Sequence, residues 1–409
     1  MMDDSVNDEI EEEFMSSEEE NEEEEDDTPG LWEEDDDGEE AAPKKIVLPD
    51  FVFEARFHPT QEFVAASSIN GYVRLYSYGL QANTLLHDLK IHQDSVRSVI
   101  FSNSGQLLFS GSADKSLRAV DVHTGQLVYT QSNAHTSGIN SMHVHSDWEI
   151  VTGDDEGVVK IWDSRQKKSI HTFEENADYI SDITSDMKKT VLAAGGDGCL
   201  TIFNTRKGKV EAVAECQDEE LLSVKIIKNG KKVIAGTQEG HLNVWNWGEW
   251  ETFNDRISGH PRSVDAILPI DEDTVTTGSS DGIVRIVNVH PNKILGIVGQ
   301  HGGMPVESLS IRCGHVTDGV GTDTSSGDKT YLMSSSHDHT LKFYNIKYLY
   351  EEDDTEEAAE EMQEVTLDEE KEDKSGKMEM SDSDDDEPKK PSNTKTMKNQ
   401  KKNFFADIL

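Results

Sequence analysis

The chain has 409 residues, three of them cysteine, and a formal net charge of −44. Residues 1–42 hold 23 Asp or Glu with no Lys or Arg, and residues 351–409 hold 21 acids against 9 bases, so only −9 falls on residues 43–350. Both ends carry too much charge and too few apolar groups to offset chain entropy, which predicts disordered tails around one folded domain over 43–350.

The same numbers bound the function. The acidic start has no basic stretch followed by an apolar one, so no secretory signal is expected. No apolar run approaches the ~20 residues of a membrane span. A strongly negative chain repels phosphate backbones, so direct RNA binding is not expected, and it attracts basic proteins instead. Cys199, Cys216 and Cys313 form no C-x-x-C pair and are odd in number. They argue against a disulfide framework or a cysteine-rich metal site and for a reducing compartment.

In chain order, the acidic tail gives way to a short apolar run, Ile46–Leu48, halted by Pro49. From Phe51 onward the sequence falls into repeats of four short strands. In the second repeat these span about 96–101, 107–111, 117–120 and 127–130, with Asn, Gly, Asp and Thr between them. The third repeat shows the pattern most fully, as Thr152-Gly-Asp-Asp-Glu-Gly-Val-Val-Lys-Ile-Trp-Asp163. Its turn residue, Glu156, has counterparts at Asn70, Asp114, Asp197, Glu239, Asp281 and Asp338, with successive gaps of 44, 42, 41, 42, 42 and 57 residues. A period of ~40–45 residues with four strands each is the mark of a propeller blade. Seven copies predict an all-β, seven-bladed propeller.

The long last gap reflects Gly314 to Thr330, rich in Gly, Ser, Thr and Asp and read as a surface loop. It does not fit a phosphate-binding loop, because five residues separate Gly321 from Gly327 and Asp328 precedes Lys329. The seventh repeat lacks an outer strand of its own. Ile46–Leu48 is expected to supply it and clasp the ring, with Ile346–Tyr350 as the competing segment.

Four repeats place a histidine 21 or 22 residues before the turn acid, once the extra loop is discounted for the last: His92, His135, His260 and His301. The same repeats carry a hydroxyl four residues before that acid, at Ser110, Thr152, Thr277 and Ser334. The repeats without the histidine have Ala66, Ala193 and Ala235 there. A buried histidine and a buried hydroxyl each need a partner, so the two come and go together. The expected chains are His92–Ser110–Asp114, His135–Thr152–Glu156 with the indole of Trp162, His260–Thr277–Asp281 and His301–Ser334–Asp338. Ser, His and acid also make a hydrolase triad. Four copies at blade spacing favour the structural role. No H-E-x-x-H occurs, and no metal, cofactor or small-molecule substrate is expected.

These repeats resemble the WD-repeat family over the whole of 43–350. Gly196-Asp-Gly-Cys-Leu-Thr-Ile-Phe-Asn204, Asp281-Gly-Ile-Val-Arg-Ile-Val-Asn-Val-His-Pro-Asn-Lys293, Val298-Gly-Gln-His301 and Phe404-Phe-Ala406 are similar to one branch of it. That resemblance implies a non-enzymatic scaffold of the nucleolus and nucleus, possible also in cytoplasm, needed for ribosomal RNA processing and ribosome production. Its partners would be basic ribosome-assembly factors or ribosomal proteins. Position alone nominates Asp94, Ala113, Tyr179, Arg262, Ser280 and His337 as contacts on one face. Trp162-Asp-Ser-Arg165 is similar to the element by which some propellers dock a cullin ubiquitin-ligase adaptor, with Arg165 as the contact. Histone binding fits the acidity equally. In the tails, Lys389 to Lys402 suits an import signal, Ser16 near the N-terminus and Ser381 near the C-terminus sit in acidic kinase contexts, and Phe404 and Phe405 suit a docking peptide.

Overall fold

A computed structural model of the chain describes residues 42–146, 148–166, 168–312 and 330–350. The tails, with Phe404 and Phe405, the import and kinase motifs, and all but Thr330 of the loop read at 314–330, lie outside the described residues. Seven four-stranded antiparallel sheets follow one another around a ring. In the second repeat the strands are Val96–Phe101, Leu107–Ser112, Leu117–Asp121 and Leu127–Gln131, within two residues of the expected bounds. Among the described residues the one helical element is a 3-10 turn, Lys347–Leu349.

The ring closes at a seam built from both ends of the domain. The last sheet takes three strands from its own repeat, Val306–Arg312, Tyr331–Ser336 and Thr340–Asn345. Its fourth is Ile46–Val47, antiparallel to the last of these with Ile46 opposite Leu341. The Leu48 N–H extends the pairing to the His339 carbonyl at 2.8 Å. Ile46 and Leu48 are buried at 4% and 3% exposure, which stabilises the seam by about 2 kcal/mol each. The competing segment, Ile346–Tyr350, turns away into the 3-10 turn, and Ile346 packs between the sixth and seventh blades. First and last blades are also joined by Ala55 N–H to Ser308 Oγ, 3.0 Å, and Phe57 N–H to Ser310 Oγ, 3.2 Å.

The core lies between blades. Inner strands are covered on both sides, so Val96–Phe101 and Ile139–Val144 each bury four of six residues. Outer strands such as Thr84–Lys90 are largely exposed. The Ser/Thr-Gly step of the second strands has a packing reason. A Cβ on Gly153 would sit 2.5 Å from Ile180 of the next blade, and one on Gly278 would sit 2.6 Å from Val306.

One expectation is corrected. Cys199 and Cys216 form a disulfide with their Cα atoms 4.2 Å apart. The fourth strand of the fourth blade leads back over its middle turn, bonding Gln217 N–H to the Gly198 carbonyl, and this brings residues 17 apart together. An odd count hid a pair, and it no longer argues for a reducing compartment; Cys313 lies outside the described residues.

Candidate protein-interaction face

Neighbouring strands are antiparallel. The turns between second and third strands therefore share one face with the connections between blades. The turns between first and second, and third and fourth, strands share the other. We call these the near and far faces.

The buried chains lie under the near face. In the third blade every donor has an acceptor. Trp162 Nε1–H donates to Thr152 Oγ1 at 2.8 Å, Thr152 bonds His135 Nε2 at 2.6 Å, and His135 Nδ1 bonds Asp154 Oδ2 at 2.8 Å. The acid is thus Asp154 and not the expected Glu156. Asp154 ends its strand fully buried and also accepts the N–H groups of Glu156 and Val158, whereas Glu156 sits exposed at the turn and accepts from Thr136. In the second blade His92 bonds Asp114 at 3.1 Å and Ser110 at 2.8 Å; in the seventh, His301 bonds Asp338 at 2.7 Å and Ser334 at 2.6 Å. Tyr344 takes the aromatic place there, 3.4 Å from Ser334.

The sixth blade departs from expectation. His260 bonds Thr277 at 2.8 Å, but Asp281 is taken by Arg285, four residues on, in a two-toothed ion pair. Burial lowers His92 and His260 to about 4, so both rings are neutral near pH 7. Burial would raise Asp114, but hydrogen bonds from Ser116 and Gln93 outweigh it and hold the carboxyl at about 2. Ser110, Thr152 and Ser334 are at most 1% exposed, so no substrate reaches these hydroxyls and the chains act as internal braces.

The positional candidates gather on the near face. Backbone bonds tie each middle turn to the start of an inner strand: Ala113 to Ser95, Gly196 to Tyr179 and Ser280 to Ser263. Asp94 and Arg262 are exposed, and Ala113, Tyr179, Ser280 and His337 are half-buried. Tyr179 donates to Glu220 of the next blade at 2.7 Å.

Sequence reasoning missed the acids beside them. Asp265 and Glu307 are the second residues of two adjacent inner strands, Val264–Pro269 and Val306–Arg312. His337 bonds Glu307 at 3.2 Å, and its ring meets Phe51 and Phe53 at 5.5 and 6.2 Å. Burial, with Glu307 nearby, pushes Asp265 up to about 7, and its Oδ2 has no hydrogen-bond partner among the described residues. Burial likewise raises Glu307. A charged residue at the second position of a strand otherwise covered on both sides was the available signal.

Arg165 stands apart, on the far face. Its guanidinium grips Asp163 at 2.8 and 2.9 Å and lies 5.1 Å from the Trp148 ring. One trio among the described residues, Glu219, Glu239 and His241, could offer metal ligands. Arg256 already approaches Glu219 to 3.2 Å, and His241 Nδ1 bonds it at 3.1 Å, so the charge there is met from within the chain.

The model of the WDR55 family matches residues 43–349. WD repeat-containing protein 55 of Arabidopsis thaliana is 40% identical over 304 residues, 73% of this chain and 81% of the relative. The Mus musculus protein of that name is 38% identical, covering 75% of this chain and 76% of its own. The Dictyostelium discoideum homolog is 36% identical, covering 76% and 73%.

Proposed function

The chain belongs to the WDR55 family of WD-repeat proteins, and on that premise we propose that it is a non-enzymatic protein-interaction scaffold of the nucleolus, required for ribosomal RNA processing and ribosome biogenesis. It works in the nucleus and nucleolus, with a cytoplasmic pool, and its partners are basic ribosome-assembly factors or ribosomal proteins. The near face carries this reading. Asp265 and Glu307 are half-buried carboxyls that lack a Lys or Arg hydrogen-bond partner within the described chain, with His337 on Glu307, Phe53 against His337, and Tyr179 within electrostatic reach of Asp265. A cationic side chain from a partner would satisfy them and find aromatic walls beside them.

The test is co-purification from nuclei with intact protein and an Asp265→Asn, Glu307→Gln double variant. Ribosome-assembly proteins should be recovered with the first and depleted at least tenfold with the second, while both melt cooperatively. Equal recovery would remove the near-face acids from the account. Recovery of a ligase adaptor in place of assembly factors, lost on Arg165→Ala, would replace the reading altogether.

A further inference from the structure

The far face of the fourth and fifth blades has a charge opposite to that of the molecule. Its four turns, at 186–189, 204–209, 228–232 and 246–254, hold eight Lys or Arg against three acids in a chain of net −44. Lys188, Lys189, Arg206, Lys207, Lys209 and Lys231 are all exposed, and none forms an ion pair with the described residues. Two of the three acids are occupied: Asp186 accepts three backbone N–H groups of its own turn, and Glu249 accepts from Asn246 and Asn254.

The turns are joined within each blade, and Trp247 and Trp250 pack against the core that the fourth and fifth blades share. The Thr205 N–H bonds the Lys189 carbonyl at 2.8 Å, joining the two basic turns of the fourth blade, and Trp247 N–H bonds the Lys231 carbonyl at 2.8 Å in the fifth. The next blade breaks the patch. Its far-face turn holds Asp271, Glu272 and Asp273, the last paired with Lys228.

Indoles border the cations. Trp247 and Trp250 meet edge to face at 5.3 Å, both half-buried, and Trp148 on the third blade is 52% exposed. Exposed cations recognise phosphate, and accessible indole faces stack on unpaired bases. An acidic protein segment would use the first and leave the second idle.

We propose that this surface binds single-stranded RNA, the cations meeting phosphates and Trp148 stacking a base on the ring face away from Arg165. The net charge that argued against RNA is a sum over the chain, and over a Debye length of ~8 Å only the local charge acts. The site is on the face opposite Asp265 and Glu307, so it stands or falls independently of the partner platform.

The test is binding of a fluorescent 20-nucleotide oligouridine to the full-length chain from 50 to 200 mM salt. Binding should weaken steeply with salt. The variant K188E/K189E/R206E/K207E should lose at least tenfold in affinity and flatten the salt slope, by ~0.7 per phosphate contact removed. Trp148→Ala should weaken binding with the slope unchanged, and Lys90→Glu, on the exposed outer strand of the first blade, should change nothing. No binding by the full chain at 50 mM salt would overturn the proposal. So would equal losses from Lys90→Glu and the quadruple variant, or a polyglutamate peptide that binds the patch and is not displaced by RNA.

Discussion

The third and fifth blades bury an indole at the same place and treat it in opposite ways. Trp162 hands its N–H to Thr152 and so to His135 and Asp154. Trp245, ten residues after Ala235 as Trp162 is ten after Thr152, is fully buried, and its Nε1 has no hydrogen-bond partner among the described residues. The fifth blade has no histidine brace. Its polar contacts run instead through Glu219, His241 and Arg256, nearer the surface. The contrast shows that the ring tolerates loss of a whole chain better than loss of one link. Removing hydroxyl and histidine together leaves a single weak orphan, whereas removing one partner strands the others.

The largest effect should come from breaking the third blade in the middle. His135→Leu leaves the buried Asp154 carboxylate and Thr152 without their shared partner and should cost about 4 kcal/mol in chemical denaturation. Glu156→Gln, the residue the repeat pattern nominated, should cost less than about 0.5 kcal/mol. Similar costs for the two would return the brace to Glu156.

The second effect is on pH. His92 and His260 are neutral when folded, at about 4, and ordinary at about 6.5 when unfolded. Between pH 6.5 and 4 the unfolded chain therefore binds protons that the folded chain does not. Stability should be fully present above 6.5 and fall as pH drops through that window, by on the order of 3 kcal/mol for each ring. Asp265 has the opposite sign, since its carboxyl is raised to about 7 and favours the fold most at low pH. Denaturation midpoints at pH 7.5, 5.5 and 4.5 read the sum, and His260→Gln should flatten the fall. A steeper fall in that variant would contradict a neutral buried ring.

The smallest effect compares the indoles directly. Both Trp162→Phe and Trp245→Phe lose ring volume, but only the first loses a hydrogen bond. Trp162→Phe should cost about 1 kcal/mol more, measured as the difference between denaturation midpoints. Equal costs would mean that Trp245 has an acceptor too.

The order and bounds of the strands were legible because a propeller writes its period into hydrophobic alternation and turn residues; between the two segments that could lend the outer strand, the structure decided for Ile46–Val47. The pairing of His92, His135, His260 and His301 with hydroxyls was legible too, because each is a local register within one repeat. What escaped was every choice between nearby candidates. Asp154 won over Glu156 by lying on the buried side of the strand, Asp281 turned to Arg285, and Cys199 found Cys216 across a fold-back. Such choices depend on side-chain reach within about an ångström, which spacing does not encode.

The amino-acid sequence alone determined the number of blades, their boundaries and the place of the seam, since these follow from periodicity along the chain. Only the tertiary structure decided that Asp265 and Glu307 stand together, that Lys189 and Arg206 share a face with Trp247, and that Trp245 is left without an acceptor. Those residues are brought together by the closure of the ring and the stacking of turns, and proximity across blades leaves no local trace in the order of residues.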